Sequence, residues 1–197
     1  MTLKDKKLYN QALQTIAQGD HPAAITQLEE ALSQSPTDSQ LHYLLGAEYA
    51  QVGEYEKAIA SMTQAITLNP ELHTAIFQLG LLYLTQGQAV EAAQTWAPLA
   101  ALPENDPLHL FSSGLQHLAK DEFTQCKALL EEGIKNNTSN PALNTDMQRI
   151  LGEIASLDNT PAEAQSAVTT EKTAQPVSSV YLQAYNQNAD EDENTVH

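Results

Sequence analysis

The chain has 197 residues, 25 acidic against 9 basic, for a formal net charge of −16. A field of that sign repels phosphates, which excludes nucleic acid and an anionic membrane surface as expected partners. Its single cysteine excludes an internal disulfide, and no apolar run approaches the roughly 20 residues needed to span a bilayer. The chain opens Met-Thr-Leu-Lys-Asp-Lys-Lys with no apolar secretory core, so a soluble cytoplasmic protein without direct membrane insertion is expected.

In chain order, the first unit covers about residues 5–38 and carries Leu8, Ala12, Gly19, Ala24, Leu28, Ala31 and Pro36. Residues 39–72 form the most regular copy. Leu41, Leu44, Leu45, Ala47 and Tyr49 give it a first helix, Gly53-Glu54 a turn, and Ala58, Ile59, Met62, Ala65 and Ile66 a second helix. Asn69-Pro70 closes it, because proline cannot continue a helix but can open the next. Residues 73–106 repeat the pattern with Gly80, Tyr83, Gly87, Ala92 and Trp96, although Pro98 is expected to kink or shorten the second helix. Residues 107–140 keep Leu110, Gly114, Phe123 and Leu130 but place Gly133, a weak helix former, where alanine is usual.

Asn140-Pro141 supplies an N-cap and a proline at the first helical position. The apolar stripe Leu143, Met147, Ile150, Leu151, Ile154 and Leu157 then predicts a capping helix over 141–157. Residues 158–197 turn to Thr, Ala, Gln, Ser, Pro and Asn with an acidic end, and are expected to be a disordered tail. Within the tail, 177–185 is an apolar-aromatic island: Val177, Val180, Tyr181 and Tyr185 share one face if helical. It is either a chance cluster or a segment that docks back on the array.

The copies are in strict register. Tyr9, Tyr43, Phe77 and Phe111 are each 34 residues apart, as are Gly46, Gly80 and Gly114, and Ala24, Ala58, Ala92 and Cys126. With Gly46, Tyr49, Ala58, Ala65 and Pro70 in place, the chain closely resembles the tetratricopeptide repeat family, whose helix–turn–helix unit is 34 residues long. The resemblance implies an all-α, right-handed α-solenoid of about four helix pairs with a cap. In size, acidity and groove character alone it is also similar to the small chaperones of type III secretion.

In that family the aromatic ladder would lie on the first helices and face a concave groove. The implied peptide-binding residues are Tyr9, Leu13, Tyr43, Phe77, Leu81, Leu84, Phe111, Leu115 and Leu118. The alternative is that they pack between neighbouring first helices and line nothing open. Family members that grip a C-terminal carboxylate use Lys, Asn and Arg at such positions. Here Tyr9, Leu13, Leu44 and Gln78 stand there, so an apolar or amphipathic segment is the implied ligand.

Catalysis finds little support. The six histidines never fall at metal-ligand spacing, no phosphate loop or nucleophile elbow is present, and no cofactor or metal is expected. Cys126 continues the alanine ladder and reads as a buried small residue. The expected function is a non-enzymatic adaptor or chaperone for a protein or peptide partner. The other class is a structural subunit of a larger or homo-oligomeric assembly.

Overall fold

The computed structural model describes residues 3–158. Among these, the chain is all-α: α1 (Leu3–Ala17), α2 (His21–Gln34), α3 (Ser39–Gln51), α4 (Tyr55–Leu68), α5 (His73–Thr85), α6 (Ala89–Trp96), α7 (Pro107–Leu118), α8 (Phe123–Asn136) and α9 (Pro141–Asp158). The helices α3, α5 and α7 begin at residues 39, 73 and 107, one sequence period apart. The chain forms two compact units, one up to Leu82 and one from Tyr83. In the first, α1 packs on α2, α2 on α3 and α3 on α4; in the second, α7 packs on α8 and α8 on α9. The tail and its island, with Val177, Val180, Tyr181 and Tyr185, lie outside the described residues.

The same period fixes the turns. Gly19, Gly53 and Gly87 have φ of +74°, +75° and +76°, and the fourth place is taken by Asp121 at +59°. Each turn is sealed by the next residue's N–H, which donates to a carbonyl five residues back: Asp20 to Thr15, Glu54 to Tyr49, Gln88 to Tyr83 and Glu122 to His117, at 2.9–3.3 Å. A left-handed residue is what lets the chain reverse to satisfy the last carbonyls of a helix. Glycine adopts it freely, and aspartate is among the few others that tolerate it. Helix starts recur too. Asp38 accepts from the Gln40 and Leu41 amides, Asp106 from Leu108 and His109, and Asn140 from Leu143.

Small residues set the helix–helix distance. Ala24, Ala58, Ala92 and Cys126 are all within 1% of complete burial. A Cβ on Gly46 would lie 2.6 Å from Met62 Cγ and 3.1 Å from the Ala58 carbonyl oxygen, so α3 and α4 touch backbone to side chain there. Overpacking typically costs 1–3 kcal/mol, outweighing the gain of about 1 kcal/mol in helix propensity. Gly46→Ala should therefore lower stability by about 1–2 kcal/mol in urea unfolding; a gain would show that the helices part without cost.

Pro98 acts as its chemistry requires. The helix α6 stops at Trp96 after 8 residues, and a 3-10 helix, Ala97–Ala101, takes over with Pro98 at its start. Leu99 remains fully buried, so the irregular segment still feeds the core. At the far end Asn137 is 6% exposed and ties α8 to α9. Its Nδ2 donates to the Asn140 carbonyl and to Asn144 Oδ1, both at 2.8 Å, while Asn144 Nδ2 returns a bond to the Asn137 carbonyl.

Candidate functional site

The nine residues expected to line a groove separate into two sets. Phe77 and Phe111 are 0% exposed, Leu115 is 0%, Leu84 and Leu118 are 3%, and Leu81 is 7%. These six are packing residues, which corrects the expectation of an open apolar groove at the third and fourth repeats. The cause is visible in both helices that carry them. In α5, Ala75, Ile76, Phe77, Leu79, Leu81, Leu82 and Leu84 are buried, leaving almost no accessible face. In α7 the ring of Phe111 lies directly against the Cα of Gly133 in α8, in the space a β-carbon would fill. Gly133 is therefore not a weak point in α8 but the hole that admits an aromatic ring.

Tyr9, Leu13 and Tyr43 remain accessible, all on first helices of the first unit. Leu13 is 38% exposed, and Tyr9 and Tyr43 are half-buried. Tyr9 and Leu13 lie one turn apart on α1, with Ile16 about one turn further. Tyr43 stands one period after Tyr9 on α3, followed by half-buried Ala47 and Ala50 at the equivalent steps. Burial of the ring raises the Tyr43 phenol above its ordinary pKa. The accessible surface is thus apolar and aromatic, with small residues leaving room on α3.

Around it sits a polar framework that the sequence did not announce. His21 Nδ1 and Glu48 Oε2 are 2.8 Å apart, joining α2 to α3, and Glu48 is only 4% exposed. The Tyr49 hydroxyl donates to Glu29 Oε1 at 2.6 Å, while Lys57 Nζ lies 5.4 Å from the centre of the tyrosine ring. These residues sit at positions the repeat motif leaves variable or reads only as packing, so spacing alone could not pair them.

Among the described residues, His117 pairs with Glu122 at 2.5 Å, His42 bonds the Pro36 carbonyl at 2.9 Å, and no group of three metal-ligating side chains comes together. Cys126 is fully buried, and burial pushes its thiol up to about 12, away from the nucleophilic thiolate. Tyr49 is likewise pushed up to about 12, first by burial and then by its bond to Glu29.

Both groups keep protons in the folded state that the unfolded chain releases, the thiol near pH 9 and the phenol near pH 10. Their contribution is whole below about pH 9 and is lost as pH climbs from there toward 12. The urea midpoint should fall across that window, and Cys126→Ala, which continues the alanine ladder, should delay the onset. A midpoint flat to about pH 11 would contradict this linkage.

No helix among the described residues is long and apolar enough to cross a membrane. Residues 39–72 match the family model of the tetratricopeptide repeat. The photosystem I assembly protein Ycf3 of Acaryochloris marina (strain MBIC 11017) is 33% identical over 92 residues, 45% of this chain and 55% of that protein. DnaJ homolog subfamily C member 3 of Gallus gallus is 33% identical over 82 residues, 42% of this chain and 16% of that one. The chain therefore spans about half the length, or less, of these curated relatives. Among solved structures, PilF of Pseudomonas aeruginosa superposes with a TM-score of 0.61 at 18% identity, covering 97% of this chain and 86% of the other. MamA of Desulfovibrio magneticus RS-1 gives 0.61 at 15% identity over 99% and 98%. At such identities the likeness carries the fold.

Proposed function

We propose that this chain, whose residues 39–72 match the tetratricopeptide repeat family, is a non-enzymatic adaptor or chaperone whose first two repeats hold an apolar or amphipathic peptide segment of a protein partner. The observation that carries this reading is Leu13, an exposed leucine one turn from accessible Tyr9, whose counterpart one period on is Tyr43. First helices in equivalent positions of stacked repeats present a continuous surface, and a helical segment with apolar anchors at i, i+3, i+4 and i+7 suits it. That one matched relative is an assembly protein supports a role in holding a partner rather than transforming it. The expected groove narrows accordingly, from nine residues to Tyr9, Leu13 and Tyr43.

The test is fluorescence anisotropy with a labelled amphipathic leucine-rich helix. Leu13→Ser should weaken binding roughly tenfold while leaving the melting temperature unchanged, since an accessible anchor contributes to binding rather than to the core. Unaltered affinity in that variant, or no binding by the wild type, would count against the reading.

A further inference from the structure

We infer that the segment taken up by the first two repeats is basic, an amphipathic helix with lysine or arginine beside its apolar face. This deepens the peptide-binding reading and rests on it. From Tyr9 to Leu82 the chain carries eight carboxylates and one amine, Lys57. Lys57 is already engaged, 3.4 Å from Glu54. Of the carboxylates, Asp20 and Asp38 cap helices and Glu48 is bound to His21. Glu29, Glu30, Glu54, Glu56 and Glu71 have exposed side chains, Glu29 while accepting from the Tyr49 hydroxyl and Glu54 while facing Lys57.

Two of these five flank first helices in the chain. Glu54 follows the end of α3 in the turn to α4, and Glu71 precedes the start of α5. Glu54 therefore stands at the C-terminal end of the helix that carries Tyr43, and Glu71 at the N-terminal end of the next first helix. The other three add to the field from α2 and α4. A charged segment lying on that layer comes within about one Debye length, roughly 8 Å at physiological salt, of such groups. Opposite charge then speeds encounter and selects the partner, and like charge rejects it.

Leu13 lies beyond Tyr9 toward the turn at Asp20 and, one period on, Glu54. A segment with an acidic flank meets repulsion at that end.

Three synthetic helices with one shared leucine face and Lys, Gln or Glu on the polar face provide the test, measured by anisotropy on the full chain. The Lys helix should bind about tenfold more tightly than the Gln helix and the Glu helix more weakly than either, with the spread collapsing at about 0.5 M salt. Glu54→Gln with Glu71→Gln should bring the Lys helix roughly threefold closer to the Gln helix and leave the Gln helix itself unchanged. Leu13→Ser should weaken all three together.

Equal affinity for the Lys and Gln helices would overturn the inference while leaving the peptide-binding reading intact. Binding of none, or indifference of all three to Leu13→Ser, would remove that reading and this inference with it. A synthetic peptide of residues 177–185 binding more tightly than the Lys helix would make the chain's own tail the occupant instead. Concentration-dependent self-association that blocks all three helices would make it a second copy.

Discussion

Phe111→Ala should cost about 3–5 kcal/mol of stability, the range for removing a buried aromatic side chain. Its ring is 0% exposed and seated on Gly133, so truncation opens a cavity between α7 and α8 where no neighbour can easily collapse. The loss should appear as a lower urea midpoint, with the helices of the second unit melting early. Gly133→Ala approaches the same contact from the other side. It should destabilise by about 1–3 kcal/mol despite alanine's better helix propensity, because the methyl lands on the ring. Combining Gly133→Ala with Phe111→Leu should cost less than the sum of the two single changes, since both act on one contact. Should Phe111→Ala leave the midpoint in place and weaken only partner binding, the ring faces an open groove and the packing described above is wrong.

His21→Ala should cost about 2–3 kcal/mol, because it leaves the carboxylate of Glu48 buried without the imidazole 2.8 Å away. Most of that cost is the desolvation of an unpaired acid rather than the worth of the pair. Replacing both residues, His21→Ala with Glu48→Leu, should recover the greater part of it, since an apolar side chain of similar size has nothing to leave unpaired. Urea unfolding of the two single variants and the double variant closes the cycle. Additive losses would show that the pair is not coupled and that Glu48 finds another partner on relaxation. The contact joins α2 to α3, the second helix of one repeat to the first of the next, so its loss should loosen the seam beside Leu13 and Tyr43.

The sequence by itself determined the elements and their register, because those rest on local chemistry. Turn glycines recur at 19, 53 and 87, and one further period leads to the fourth left-handed residue, Asp121. The Asp and Asn caps, the small-residue ladder ending in Cys126, and the interruption at Pro98 follow equally from residues acting within a few positions of themselves. The fold class was legible for the same reason. Which aromatic of the ladder is buried was not, because periodicity assigns all four the same place while their surroundings differ from copy to copy. One period relates Ala31, Ala65, Leu99 and Gly133, and the last of these alone lacks a side chain, so the α7 ring drops onto α8. The apolar run of α5 from Ala75 to Leu84, interrupted by Gln78, did signal that Phe77, Leu81 and Leu84 have little outward face. The His21–Glu48 and Tyr49–Glu29 bonds carried no such signal. They join residues 27 and 20 positions apart on adjacent helices, and only tertiary packing decides that two polar groups so distant in sequence must satisfy one another once water is gone.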